Sequence, residues 1–275
     1  MNIKKIITCG DIHIRNFLRQ EEYLEQLNKF IDKCREIAQP FQKEEIRIVI
    51  CGDILHQKNN ISPDLITIVS TFIRQLEEIA KVIIIAGNHD ILENNLSRKD
   101  AISSIFDTAQ FSNAFLLDQI LDYQSGIVVD NNIAWCLYSI FDNYKKPDID
   151  LDKIKNHDKI HIGLYHGMIV GASLDNGSIV DSGIDGDLFS GCDCVMAGHI
   201  HKRQSFKRKG VPIVYCGSLL QQNYGETVTL HGFSVWDMET LTHEFVDLDT
   251  DYGLYKIEIN SIDDIDQDKE IFLNY

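Results

Sequence analysis

Hydrophobic residues in the first hundred positions follow two rhythms. Lys5–Cys9, Ile46–Cys51 and positions 82–86 are near-continuous apolar runs, the pattern of strands buried on both faces. Between the first two, Tyr23, Leu24, Leu27, Phe30, Ile31, Cys34 and Ile37 recur at three- and four-residue spacing and Pro40 follows, which predicts a helix with a stop. Ser62-Pro63 supplies an N-cap and a first-turn proline to a second helix, whose buried stripe is Leu65, Val69, Phe72, Ile73, Leu76 and Ile79. A third, shorter helix is expected to begin near Ser97, where Ser97-x-x-Asp100 resembles a capping box with Asp in place of Glu. Past residue 125 helical signals become sparse, and strands are expected at 133–140, 159–165, 194–197, 211–215 and 233–236. The alternation predicts a layered α/β fold, central β-sheets flanked by helices, with its chemistry at the strand ends. The expected organisation is one domain over 1–250. Residues 251–275, where charge density rises and a fresh alternation starts at Tyr255, Ile257 and Ile259, would begin a second unit.

Composition narrows the class. With 44% hydrophobic and 25% charged residues, and no apolar run near the roughly 20 residues of a membrane span, the sequence reads as soluble and globular. Met1-Asn2-Ile3-Lys4-Lys5 leads straight into a core strand without a signal peptide, so an intracellular location is expected, with no membrane partner. The seven cysteines lie mostly inside strand-like runs and read as reduced core residues; Cys192-Asp193-Cys194, lacking a second pair, makes no zinc knuckle. A net charge of −16 argues against a nucleic-acid partner, but it is unevenly spread. Positions 239–275 hold eleven acidic residues against Lys256 and Lys269, a net of −9, leaving −7 on the preceding 238.

Five short elements carry candidate chemistry: Asp11-Ile12-His13, Gly52-Asp53-Ile54-Leu55-His56, Gly87-Asn88-His89-Asp90, His166-Gly167 and Gly198-His199-Ile200-His201. Each alone is an ordinary turn with a polar side chain. Together they offer carboxylate, amide and imidazole, the donor set of divalent metals, from several strand-end loops. Two metals roughly 3.5–4 Å apart need a bridging carboxylate, and Asp53 is the natural bridge. Glycine before Asp53, Asn88 and His199 is expected to let the backbone turn sharply there.

The blocks resemble the calcineurin-like metallophosphoesterase family, whose pattern is D-x-H, G-D-x-x-H, G-N-H-D, a later H and G-H-x-H. The resemblance implies one metal held by Asp11, His13, Asp53 and His201 and a second held by Asp53, Asn88, His166 and His199. His89 would protonate the leaving oxygen or stabilise phosphate charge, with Asp90 orienting its ring. Within the family the sequence is most similar to SbcD-type double-strand-break repair nucleases and their phage recombination counterparts. The carriers are His56 three residues after Asp53, the stretch from His166 to Ala172, and Val214-Tyr215-Cys216-Gly217-Ser218-Leu219 followed by Gly225-Glu226 and His231-Gly232-Phe233. That likeness implies a manganese-dependent DNA exonuclease and endonuclease of repair and recombination. It further implies His56 on the DNA strand, a homodimer through the helix at 62–80 and the one after Ser97, an SbcC-type coiled-coil ATPase as partner, and a capping domain after residue 250. Ile14-Arg15-Asn16 and positions 57–61 depart from the subfamily pattern, at places that bear on substrate preference and not on the metals.

Lys202, Arg203, Lys207, Arg208 and Lys209 place five basic residues within eight positions beside the last motif. They read either as phosphate-backbone contacts or as a solvated hairpin. The rival functions are a small-substrate phosphodiesterase, for cyclic nucleotides or nucleotides, and a non-catalytic scaffold. Every expected ligand is present, which argues against decay. His157, His161, His231 and His243 match no motif and are expected in core or surface roles.

Overall fold

The computed structural model describes residues 1–92, 94–96, 98–147 and 159–256. Two six-stranded sheets pack face to face. The first is ordered β12-β11-β1-β2-β3-β4, with β1 Lys5–Cys9, β2 Ile46–Cys51, β3 Lys81–Ile85, β4 Ala114–Leu116, β11 Gly232–Asp237 and β12 Thr242–Asp247. The second is ordered β5-β6-β7-β8-β10-β9, with β5 Gly126–Asp130, β6 Ile133–Tyr138, β7 Ile160–His166, β8 Cys194–Gly198, β9 Gln204–Arg208 and β10 Val211–Tyr215. β1 to β4 are mutually parallel, as are β6, β7, β8 and β10. The C-terminal ends of each parallel set therefore share one edge of their sheet.

Alternation along the strands sorts side chains between two cores. Ile6, Val49, Cys51, Ile83 and Ile85 face Trp135, Leu137, Ile162, Leu164, Met196 and Val214 across the sandwich. Ile7, Cys9, Ile48, Ile50, Val82 and Ile84 face the helices α1 Gln20–Ala38, α2 Pro63–Ile79 and α3 Ala101–Ala109. The predicted stripes do the packing: Phe30 of α1 sits with its ring 5.0 Å from Phe233 and 6.1 Å from Phe72 of α2. Each such buried side chain contributes on the order of 1.5–3 kcal/mol. The outer face of the second sheet is covered instead by the segment from Ile169 to Cys192, through Ile169, Ala172, Val180 and Phe189. Helices thus flank the first sheet, while loop covers the second, in keeping with the sparse helical signal after residue 125.

Ser62 caps α2 through the Leu65 amide, as the sequence indicates. The third helix departs from expectation: α3 starts at Ala101, with the Asp100 carboxylate accepting the Ser103 N–H at 2.7 Å. Asp100 is thus the cap itself rather than the third residue of a box, and Ser97 lies outside the described residues. All seven cysteines are buried free thiols. No helix among the described residues is long and apolar enough to cross a membrane. Of the stretch 251–275, residues 257–275, including Ile257 and Ile259, lie outside the described residues; before them, Leu254 exchanges two hydrogen bonds with the Gln221 side chain.

Candidate metal centre

Seven of the singled-out side chains converge at the C-terminal strand ends: Asp11 and His13 after β1, Asp53 after β2, Asn88 after β3, His166 closing β7, and His199 and His201 after β8. The loops that carry them are bent hard. Asp11, His13, Asp53 and His199 all have left-handed backbone, with φ of 49°, 52°, 53° and 95°. Such conformations cost on the order of 1–3 kcal/mol each and persist where surrounding contacts over-determine them. Here the amides of Asp11, His13 and Ile14 donate to the carbonyls of Gly52, Asp53 and Ile54, which zips the β1 and β2 loops together. The glycines serve differently from the expectation of three sharp turns. Only Gly52 has positive φ, 85°. Gly87 and Gly198 are needed for close approach, since a Cβ would run into the Asp53 carboxylate at the one and the Cys51 carbonyl at the other.

The ligand atoms fall into two groups. Asp11, His13 and His201 form one, with the two Nε2 atoms of the histidines 3.0 Å apart. Asp53, His166 and His199 form the other, and Asn88 Oδ1 lies 3.0 Å from His166 Nε2 and 2.9 Å from His199 Nδ1. Asp53 Oδ2 stands between them, 3.5 Å from His13 Nε2 and 3.3 Å from His166 Nε2. Asp11 adds a cross-link between the sheets, its carboxylate accepting the His199 N–H at 2.8 and 3.0 Å.

The donor set fits divalent cations. His166 Nδ1 donates to the Cys51 carbonyl at 2.7 Å and His201 Nδ1 to Glu226 Oε1 at 2.7 Å, so in the neutral rings each Nε2 points a lone pair inward. The His166 lone pair meets the Asn88 and Asp53 oxygens and that of His201 meets His13 Nε2, close sets of metal-ligating atoms that a cation between them would join. The electrostatics agree. Burial pushes the Asp11 carboxyl up to about 6, against the pull of His166 and His201. Burial works against charge on His166 too, but the Asp53 carboxylate outweighs it and lifts the imidazole to about 10. Asp53 itself is held below the usual carboxylate range because His166 and His13 outweigh its burial. Without a cation, the cluster gathers protons where positive charge is wanted.

His89 and His56 stand at the rim, both half-buried, with stacked rings 5.3 Å apart at 19°. Asp90 does not orient the His89 ring. Its oxygens accept the amides of Leu55, at 2.9 Å, and Gly87, at 3.0 Å, so this fully buried carboxylate clamps the two ligand loops to each other. The His89 ring is oriented by the His56 carbonyl, which accepts Nδ1–H at 2.8 Å. A carboxylate after Asn-His is a reasonable partner for the ring, but the chain turns so that it faces backbone amides instead.

The basic stretch divides. Lys202 and Arg203 follow the ligands at the site edge, whereas Lys207, Arg208 and Lys209 lie at the opposite end of β9, whose Gln204 pairs with Tyr215 and Arg208 with Val211. At about 3.3 Å per residue that is roughly 13 Å further away. Arg203 pairs with Asp247, Arg208 with Asp185 at 2.7 Å, and Lys209 with Asp187 at 3.7 Å; Lys202 donates to Ser173 Oγ at 3.1 Å. The stretch does not form a continuous cationic flank to the cluster, because a hairpin carries three of its five basic residues away. Of the unassigned histidines, His231 is buried between Ser218 and the Thr227 carbonyl, His161 is buried, His243 packs against Trp236 with the rings tilted by 38°, and His157 lies outside the described residues.

Glu226 is the site member that the motifs do not reveal. It is legible only as the acid after Gly225 in the late segment, and nothing in its spacing points to His201, 25 positions earlier.

A strand-edge cluster of carboxylate, amide and imidazole in a two-sheet sandwich defines a hydrolase of phosphoester bonds that uses divalent metal. The chain belongs to the calcineurin-like phosphoesterase family, whose sequence profile matches residues 4–203. It is 34% identical over 264 residues to the uncharacterized protein R555 of Acanthamoeba polyphaga mimivirus, covering 94% of this chain and 19% of that protein. It is 26% identical over 295 residues to the SbcD component of the SbcCD nuclease of Staphylococcus saprophyticus, covering 97% of this chain and 75% of that protein. It is 28% identical over 236 residues to the putative phosphoesterase 244L of Invertebrate iridescent virus 6, covering 81% and 72%. The chain thus spans about a fifth of the mimivirus relative and about three quarters of the other two.

Proposed function

We propose that the protein is a DNA nuclease, an exonuclease and endonuclease that hydrolyses phosphodiester bonds at a dinuclear centre, with manganese as the working metal. The observation that carries this reading is the partition of the seven side chains into two acceptor-lined groups on either side of Asp53. Asp11, His13, Asp53 and His201 would hold one ion and Asp53, Asn88, His166 and His199 the other. Bound there, the ions would supply Lewis acidity, activating water and neutralising phosphate charge for in-line displacement.

The chain's own groups do the rest. His89 donates Nδ1–H to the His56 carbonyl, which leaves Nε2 as the atom that would take up a second proton and, from the imidazolium, pass it to the departing oxygen. The stacked His56 ring restricts that imidazole and would contact the DNA strand. Asp53 Oδ1 accepts the His89 amide at 2.7 Å, tying the proposed acid to the shared carboxylate. Asp90 keeps the loops in register. Lys202 and Arg203, which directly follow the ligand His201, would meet a backbone phosphate.

DNA as substrate is supported by the similarity to the SbcD component of a nuclease along nearly the whole chain, and a strand would reach the cluster over the half-buried rim of Asn88, His89, His199 and His201. The same reading gives the protein a role in repair or recombination, a homodimeric state, an SbcC-type ATPase partner, the start of a capping domain in 251–275, and a place inside the cell, a host cell given its two viral relatives. The test is to incubate the protein with linear duplex DNA, a cyclic nucleotide and a phosphopeptide, each with manganese or EDTA. Manganese-dependent loss of DNA is expected, and loss of the cyclic nucleotide alone would sink the nuclease reading. His89→Ala should stop cleavage while manganese still binds; retained cleavage removes His89 from the mechanism.

A further inference from the structure

Two of the inward-pointing histidines are backed by hydrogen-bond partners of different character. His166 leans on a neutral backbone carbonyl, that of Cys51. His201 leans on a carboxylate, that of Glu226, whose side chain is 2% exposed. A buried carboxylate is costly unless it is hydrogen-bonded, and this one is: besides the imidazole, it accepts the Gln222 amide at 2.8 Å and the Asn223 side-chain amide at 2.6 Å. The segment from Gln221 to Glu226 folds around it, with Gln221 donating to the Glu226 carbonyl at 3.0 Å.

That segment also reaches the second histidine of the same group. The Gln222 side chain donates to the Ile12 carbonyl at 3.0 Å, and its oxygen faces the Tyr23 hydroxyl, which donates to the His13 carbonyl at 2.6 Å. The chain of contacts runs from Glu226 through His201 to His13, then through Tyr23 and Gln222 back to Glu226. Its bonds brace the Asp11–His13–His201 group, and the hydrogen bonds of the Asp53–His166–His199 group include none to Glu226 among the described residues.

We infer that Glu226 is a positioning residue: it fixes His201 in the tautomer with Nε2 lone pair inward, and it strengthens one metal position selectively over the other. This rests on the dinuclear reading above. A carboxylate behind an imidazole holds the ring's rotation and raises the basicity of its far nitrogen, and removing such a partner weakens metal binding by about 10–100-fold. The two proposed ions are thereby made unequal by a residue that touches neither of them.

Two variants separate charge from position. Glu226→Gln removes the negative charge but keeps one acceptor oxygen for His201 Nδ1, at the cost of turning its NH2 towards the Gln222 amide; Glu226→Ala removes charge and acceptor together. Calorimetric titration of the metal-free protein with Mn2+ should show two sites in the wild type. One site should weaken by about 10–100-fold in Glu226→Ala and by less in Glu226→Gln, while the other stays unchanged. A metal-free readout accompanies it: long-range 1H–15N correlation at alkaline pH should find the His201 proton on Nδ1 in the wild type and shared between the ring nitrogens in Glu226→Ala. Unchanged affinities, an equal loss at both sites, or an unchanged tautomer in Glu226→Ala would each overturn the inference. Should Glu226→Ala fail to fold, the selective loss in Glu226→Gln decides. Fewer than two sites in the wild type would instead refute the dinuclear reading itself.

Discussion

Stripping and restoring divalent metal should move the melting temperature by an amount that the structure and chain length set. Two groups of acceptors face each other across a few ångströms, with His13 Nε2 and His201 Nε2 3.0 Å apart and Asn88 Oδ1 within 3.0 Å of both His166 and His199. A cation relieves this only in the folded protein, because the ligands span 190 positions from Asp11 to His201 and come from both sheets. One ion at a hundredfold excess over its dissociation constant adds about 2.7 kcal/mol to the folding free energy. For a chain of 275 residues, an unfolding entropy of about 2.1 cal/mol/K per residue gives about 0.6 kcal/mol per degree, so each ion should raise Tm by about 5 °C and two by about 9 °C. Differential scanning calorimetry of EDTA-treated protein across a manganese titration measures this. Asp53 faces both groups, so Asp53→Asn should lose most of the shift whatever its effect on the metal-free protein. A melting temperature indifferent to manganese, magnesium and zinc, or a full shift retained in Asp53→Asn, would refute the reasoning.

Asp118, fully buried behind the third ligand loop, accepts the Ala86 amide at 2.8 Å and the Ser139 hydroxyl at 2.6 Å, and burial lifts its carboxyl to about 6. Its folded pKa lies above its unfolded one, so the native state holds the extra proton between them; stability from this group falls as pH rises from about 4 through about 6, by about 3 kcal/mol in all, and is flat above. Urea denaturation across that window should show Asp118→Asn gaining on the wild type as pH rises, and parallel curves would contradict the assignment. Asp90→Ala strands two buried amides and should cost about 3–5 kcal/mol in chemical denaturation, with loss of the manganese-induced Tm shift; a neutral effect would mean that the loops hold without the clamp. Gly87→Ala would drive a methyl group into the Asp53 carboxylate and should abolish the same shift, whereas an intact shift would show that the loop has room to yield. Lys207→Ala with Lys209→Ala, at the far end of β9, should leave the rate of DNA cleavage unchanged, and a large drop would restore that end of the hairpin to the substrate path.

Much of the fold is legible in the sequence because burial on two faces leaves a continuous apolar run. β1 and β2 appear in the sequence at their structural limits, and β3 and β7 are off by a single residue at each end. What is not legible has a physical cause in each case. β9 and β12 are edge strands with half-exposed alternating patterns, QSFKR and THEFVD, that read as polar loop. β4 is three residues long and takes its place from pairing with β3. The start of α3 escapes the local pattern because Ser97 and Asp100 are both competent caps, and only tertiary packing chooses between them. Arg47, inside an otherwise apolar strand, is tolerated because Asp130 of β5 meets it with two hydrogen bonds, a pairing between sheets that no local pattern encodes.

The site shows the same division between what a residue is and what it leans on. Ligand types are legible because metal chemistry selects among few side chains and the strand-end loops present them in short motifs. Their supports are not, because any nearby polar group can support an imidazole, and the chain supplies the Cys51 carbonyl, the His56 carbonyl and Glu226 from unrelated positions. Each acceptor group also draws from both sheets: Asp11 and His13 stand against His201, and Asp53 and Asn88 against His166 and His199. Neither sheet alone carries a group, so occupancy of either position requires the sandwich to be closed. Any change that loosens the inter-sheet core around Val49, Cys51, Leu164 and Met196 should therefore weaken both positions together. Loss of Glu226 should weaken only one, and that contrast distinguishes a positioning residue from a packing one.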